Sequence, residues 1–284
     1  MHTEYLNLHI GIKEEFFDFA IARLTTFPIK GIEEKYDELV ITFLFSDWTE
    51  RFKENLLNNI RFVYPEVKII KEEKLPDKNW NEEWEKNVQS VKVNNRISIA
   101  PLWKIEEVKS EFSIIINPKM SFGTGEHATT RLCCKLLENV VSKDSFWIDA
   151  GTGTGVLAIL EVMLGANRVL AFDNNEWSIE NAKENFLLNN ASDKIKLLTA
   201  DIDNLSFPKC DGISANLFFH LLVASFDIFY SALKETSGDL IVSGVMKYDY
   251  DDLITSAVKS GFYVNQSIFE DEWCGVHFKL GSPV

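Results

Sequence analysis

Three glycines at alternate positions, in Asp149-Ala-Gly-Thr-Gly-Thr-Gly155, are the residues of this chain best placed to do chemistry. They follow a short apolar run, Phe146 to Ile148, and precede a helical stretch, Val156 to Leu164. A strand, a glycine turn and a helix N-terminus present backbone N–H groups to a ligand with no Cβ atoms in the way. A second strand-like run, Arg168 to Phe172, ends in Asp173. That acid follows Gly151 by about twenty residues, where a nucleotide-binding βαβ unit places its ribose-binding carboxylate. The chemistry implied is the holding of a nucleoside-containing cofactor.

The glycine spacing separates several such cofactors. A dinucleotide fingerprint, G-x-G-x-x-G, needs glycine at position 156, where Val156 stands. No Gly-Lys-Ser/Thr follows, so a phosphate-binding P-loop is excluded. Gly151, Gly153 and Gly155 instead fit the D-x-G-x-G-x-G loop of class I S-adenosylmethionine-dependent methyltransferases. The bland alternative is a glycine-rich turn with no ligand. Asp173 weighs against it.

The elements that must position this loop follow from periodicity. After Asp173 come a helix over Glu176 to Asn190, a strand Ile195 to Thr199 with Asp201 just past its end, and a strand Gly212 to Ala215 ending at Asn216. A long helix, a strand over Leu240 to Ser243, a helix over Tyr250 to Ser260 and closing strands Phe262 to Phe269 and Val276 to Leu280 complete the series. Alternating strands and helices predict an α/β fold with a mainly parallel sheet covered on both faces. Its crevice lies at the carboxyl ends of the strands, where Asp149, Asp173, Asp201 and Asn216 all fall.

Residues 1–75 have a logic of their own. Strand Tyr5 to Ile10, helix Lys13 to Leu24, paired strands Gly31 to Tyr36 and Leu39 to Phe45, a helix Trp48 to Phe62 capped by Asp47, and strand Val67 to Ile70 give the order βαββαβ. That is the ferredoxin-like arrangement. It holds no catalytic cluster and reads as a recognition domain, or else as an oligomerisation or purely structural module. Residues 76–110 read as linker and helix: the polar stretch Lys71 to Lys78 runs into Trp80 to Val88, whose two tryptophans share one helical face. Strands Arg96 to Ala100 and Phe112 to Ile116 lead into the larger domain, residues 111–284.

The loop Asn117 to Thr130 is the second informative stretch. Gly123 and Gly125 bracket a tight turn, and Thr129-Thr130 begin a helix running to Val140. Hydroxyls and free N–H groups at such a start hold a carboxylate, or merely cap the helix. His127 alone carries neither a base nor a metal site, because no second ligand lies near it in sequence. The loop is expected to close over a bound cofactor.

Composition bounds the rest. The 284 residues are 46% hydrophobic and 25% charged, with four cysteines lacking metal-ligand spacing. No apolar run reaches membrane length and no export signal opens the chain, so a cytoplasmic protein with reduced thiols and no metal is expected. The net charge of −14 opposes direct nucleic-acid binding and suits a basic partner, or serves solubility alone.

Phe122-Gly-Thr-Gly-Glu-His-Ala-Thr-Thr130, Asp149 to Gly155, Phe172-Asp173, Ala215-Asn216 and Glu272-Trp-Cys274 together resemble the bacterial ribosomal protein L-eleven (L11) methyltransferases. The resemblance covers about residues 80–280. It implies a Rossmann-like seven-stranded class I methyltransferase domain preceded by a small α+β ferredoxin-like domain. It further implies methyl transfer from S-adenosylmethionine to lysine side chains and the N-terminal amine of L11, free or on the large ribosomal subunit. By resemblance Thr130, Gly151, Asp173 and Asn216 bind the cofactor; their position adds Asp149, Gly153 and Asp201. Asn216 is also the candidate catalytic residue, orienting the amine or the methyl donor. The sequence departs from the family pattern at Ala128, usually proline, at Thr152, often cysteine, and at Leu217-Phe-Phe-His220. A methyltransferase acting on RNA or a small molecule, and a cofactor-binding module without activity, are the alternative readings.

Overall fold

Alternation in the first strand places Leu6, Leu8 and Ile10 on one face, all buried, so that face must be covered. In the computed structural model, which describes residues 5–24, 27–75, 88–119 and 121–281, two helices cover it. Strands β1 (Tyr5–Gly11), β2 (Gly31–Lys35), β3 (Glu38–Leu44) and β4 (Lys68–Leu75) form an antiparallel sheet in the order β2-β3-β1-β4. Helices α1 (Phe17–Leu24) and α2 (Glu50–Arg61) supply Phe17, Ala20, Leu24, Leu56 and Ile60 to its core. This is the βαββαβ order expected from the sequence.

Two local expectations are corrected. Thr49, not Asp47, caps α2: its hydroxyl accepts from the Phe52 N–H, whereas Asp47 lies in a preceding 3₁₀ turn. Both residue types cap well, and the register of the buried Leu56 and Ile60 selects the later one. The charged stretch read as linker from Lys71 is strand as far as Leu75. As an edge strand, β4 carries Lys71, Glu72 and Lys74 toward solvent, where charge is tolerated and blocks further pairing. The helix expected from Trp80 lies outside the described residues, apart from Val88.

The chain divides into two compact units, Met1–Glu83 and Trp84–Val284. The second opens with a three-stranded sheet, β5 (Val91–Lys92), β6 (Ile97–Pro101) and β7 (Phe112–Ile116), with β7 at its edge. Helix α3 (Ala128–Leu137) leads into the main sheet: β8 (Phe146–Ala150), α4 (Val156–Leu164), β9 (Arg168–Asp173), α5 (Glu176–Leu188), β10 (Ile195–Thr199), β11 (Gly212–Asn216), α6 (Phe219–Leu233), β12 (Asp239–Met246), α7 (Tyr250–Lys259), β13 (Phe262–Glu270) and β14 (Trp273–Leu280). Seven strands run in the order β10-β9-β8-β11-β12-β14-β13, parallel except for β14.

Period-two side-chain direction divides the core. From β8, Trp147 packs with α3, α4 and α5, while Ile148 and Ala150 pack on the other face with Phe226 and Phe229 of α6 and Leu253 of α7. Burial on both faces leaves only the strand ends for polar function. Among the described residues no helix is long and apolar enough to cross a membrane.

Candidate active site

The glycine loop sits at the carboxyl end of β8, the central strand of the sheet's parallel part. Gly151, Gly153 and Gly155 have φ of 74°, 54° and 86°, the left-handed region that costs L-residues with side chains. At Gly153 the demand is also spatial, because a Cβ there would strike the backbone carbonyl of Phe122. Gly155 opens α4 without a capping side chain, and a Cβ there would strike the Phe186 ring. The loop folds back on β9 through the Gly151 and Thr152 N–H groups, which donate to the Phe172 carbonyl at 3.0 and 2.9 Å.

The Phe122–Thr130 loop docks on this turn. Thr154 donates from its N–H to the Phe122 carbonyl (2.9 Å) and from its hydroxyl to the Gly123 carbonyl (2.8 Å). Arg131 holds the other side: its guanidinium donates to the carbonyls of Gly125 (3.0 Å) and Glu126 and pairs with Glu270 on β13. His127 caps α3, its Nδ1 2.8 Å from the Thr129 hydroxyl, with its ring between Phe122 and Trp273 at 5.2 and 4.7 Å. Burial, then the Arg131 charge, lowers its pKa, so it caps as a neutral imidazole.

A buried ladder fixes the approach to this loop. On α5 and its C-cap, Asn181, Asn185 and Asn189 recur every four residues and so share one face. The Asn189 side chain both accepts from the Ile115 N–H and donates to its carbonyl, at 2.9 and 2.6 Å. Asn185 accepts from the Asn117 N–H (2.7 Å) and donates to the Thr154 carbonyl (2.8 Å), and Asn181 donates to the Asn117 carbonyl (2.9 Å). The sequence reading missed these three; their spacing is the signal that marks them.

The expected site residues fall into three kinds of place. Asp173 is half-buried beside the loop, accepting from the Gly153 N–H (3.0 Å) and the Asn175 N–H (2.9 Å). Thr130 and Asn216 each carry a buried oxygen, Oγ1 and Oδ1, with no hydrogen-bond partner among the described residues. A buried polar atom left unpaired is costly, and a ligand that donates to or accepts from it removes that cost. Asp201 is exposed and caps a short 3₁₀ turn, accepting from the Asp203 N–H at 3.3 Å.

Asp149 lies elsewhere. It is fully buried beneath the loop, Oδ2 accepting from the Thr152 hydroxyl (2.6 Å) and the Ala158 N–H (3.2 Å), Oδ1 from Ser214 (3.1 Å). Burial pushes its pKa up to about 6 against those three donors. All four cysteines are buried free thiols. Burial raises Cys134 and Cys210 to about 12 and Cys274 to about 11, which leaves them protonated and poor nucleophiles at neutral pH. Among the described residues no group of three His, Cys, Asp or Glu is placed to hold a metal ion.

The parallel sheet with its D-x-G-x-G-x-G turn at the central strand defines a class I S-adenosylmethionine-dependent methyltransferase. Comparison with known proteins narrows this. The family model for ribosomal protein L11 methyltransferase (PrmA) matches residues 21–280, and the chain belongs to that family. The L11 methyltransferase of Chlorobaculum parvum is 35% identical over 277 residues, covering 95% of this chain and 94% of that protein. That of Staphylococcus saprophyticus is 28% identical over 254 residues, 87% and 79% of the two chains. The crystal structure of a ribosomal protein L11 methylase from Lactobacillus delbrueckii subsp. bulgaricus superposes with a TM-score of 0.63 at 27% identity, covering 69% of this chain and all of that one.

Proposed function

We propose that this protein transfers methyl groups from S-adenosylmethionine to lysine side chains and the N-terminal amine of ribosomal protein L11, free or on the large subunit. One observation carries the cofactor assignment. Two buried oxygens without partners among the described residues, Thr130 Oγ1 and Asn216 Oδ1, belong to two of the residues expected to bind it. The cofactor, when bound, supplies a sulfonium methyl group already activated for transfer to a neutral amine.

The chain's own residues bind and orient. The glycine loop gives a cradle without Cβ atoms, and Asp173 is the acceptor for ribose hydroxyls, with Asp201 nearer solvent at the next strand end. Thr130, at the start of α3, donates to the methionine carboxylate, aided by the free N–H groups of that helix end. Asn216 orients the amine or the donor through its side-chain amide. A free lysine, with a pKa of about 10.4, is protonated at neutral pH, and a dry pocket favours its neutral form. Alignment of that amine with the C–S bond contributes up to about 7–11 kcal/mol in ideal cases, so no strong base is needed. The N-terminal unit recognises the ribosomal protein, and the acidity of the chain suits a basic substrate in the cytoplasm rather than direct contact with RNA.

Radiolabel transfer from S-adenosylmethionine into cell fractions tests the reading. Label in L11 is the expected outcome. Label confined to RNA or to small molecules, or none at all, overturns it. A chain beginning at Lys78 is expected to bind S-adenosylmethionine and to lose methylation of intact L11; full activity of that chain would remove the recognition role.

A further inference from the structure

Beneath the glycine loop lies a row of three oxygens that methyl transfer does not touch. Glu161 belongs to α4, whose other residues are all apolar, and its side chain is fully buried. Its Oε1 stands 2.7 Å from the Ser214 hydroxyl on β11, and the same hydroxyl stands 3.1 Å from Asp149 Oδ1 on β8. Glu161 Oε2 has no hydrogen-bond partner among the described residues. The row therefore joins a helix and two adjacent strands, and Asp149 carries it on to the loop.

Counting protons decides the state of the row. The Ser214 hydroxyl brings one, which cannot occupy both gaps. Were both carboxyls ionised, one of the two gaps would set lone pair against lone pair among side chains that are all fully buried. A second proton is therefore required. Apart from the shared hydroxyl, Asp149 receives two donors, the Thr152 hydroxyl and the Ala158 N–H, whereas Glu161 receives none. The carboxylate with two donors of its own keeps the charge, and the one without any keeps the proton.

We propose that Glu161 is a positioning residue for the cofactor loop, a neutral acid whose O–H donates to Ser214 Oγ and so commits the Ser214 proton to Asp149. With that proton fixed, Asp149 Oδ2 is free to hold the Thr152 hydroxyl and the Ala158 N–H together, which sets the turn and the first turn of α4. The role extends the reading of this loop as the cofactor's seat and rests on it. The groups facing the pair agree. Burial, then the charge of Asp149, raises the Glu161 pKa, and Asp173 on β9 adds further negative charge to Asp149. From α3 the neighbours are Cys133 and Cys134, thiols that burial keeps protonated, and among the described residues no cation is a cause of either carboxyl's shift.

Infrared spectroscopy of the whole, ligand-free protein at neutral pH reads the proton directly. The expected result is the carbonyl band of a protonated carboxylic acid, lost in Glu161→Gln and shifted in Ser214→Ala. No such band in the natural protein, or its survival in Glu161→Gln, overturns the proposal. Amide hydrogen exchange over residues 150–158 reads the positioning. Glu161→Gln, which still donates to Ser214, is expected within about twofold of the natural protein, and Ser214→Ala and Glu161→Leu to exchange roughly tenfold faster. Unchanged exchange in Ser214→Ala overturns the role even if Glu161→Leu fails to fold. Calorimetry with S-adenosylmethionine on the same samples separates the two readings. A natural protein that does not bind it removes the cofactor assignment, while the band and the exchange still decide what Glu161 does.

Discussion

The ends of β8 and β9 carry the same residue type on adjacent strands, and the protein uses them differently. Asp149 is sealed under the glycine loop with three donors and no exposure; Asp173 stands at the side of the loop, part of its surface open, with one backbone N–H on each oxygen. Both face the same turn, one from below and one from the crevice. A strand end brings an acid to the crevice, but burial decides whether it serves the loop or the ligand. Asp149 is thereby committed to supporting the loop, and of the two acids Asp173 is the one left open to the crevice.

Breaking Asp149 should give the largest effect. Asp149→Ala strands the Thr152 and Ser214 hydroxyls and the Ala158 N–H, and is expected to lower stability by about 2–4 kcal/mol, read from urea denaturation. Asp173→Ala should do the reverse, weakening S-adenosylmethionine by about 1.5–3 kcal/mol in calorimetry while stability falls by less than about 1 kcal/mol. If Asp149→Ala loses only affinity, or Asp173→Ala only stability, the contrast collapses.

The pH dependence sharpens the same comparison. Burial raises Asp149 from 3.8 to about 6 and raises Glu161 well above 4.5, so the folded chain holds protons that the unfolded chain has released. Their contribution to stability is complete below about pH 4. It is lost as pH rises through about 6 for Asp149 and at a pH well above 4.5 for Glu161, at up to about 1.4 kcal/mol per pH unit for each proton retained. Glu161→Gln removes its share, so its denaturation midpoint should gain on the natural protein's as pH rises from 5 to 8. Parallel curves would place Glu161 outside this account. The smallest effect is expected at Thr130→Val. Its hydroxyl has no partner among the described residues, so stability should stay within about 0.5 kcal/mol, while the cofactor weakens by about 1 kcal/mol.

Much of this was legible from residue types alone. Gly151, Gly153 and Gly155 announce a left-handed turn because few other residues tolerate it, and α4 begins and ends where its apolar run does. The strand-end positions of Asp173 and Asn216 followed from the alternation of elements. What stayed hidden depends on which neighbour arrives. Glu161 in α4 looks like the polar edge of an amphipathic helix until β11 brings Ser214 against it. Asn181, Asn185 and Asn189 look like a solvated helix face until β7 runs alongside. Thr49 and Asp47 are equivalent caps until the core beneath α2 fixes the register.

That asparagine ladder has a second consequence, for how the molecule behaves in a crowd. β7 reads Phe-Ser-Ile-Ile-Ile and lies at the edge of its sheet, the kind of apolar strand that recruits a strand from another molecule. Its outward backbone groups at Ile115 and Asn117 are already taken by side chains of α5, which do the work of a neighbouring strand without offering a further edge. The helix that steadies the cofactor loop thus also acts as a guard against self-association.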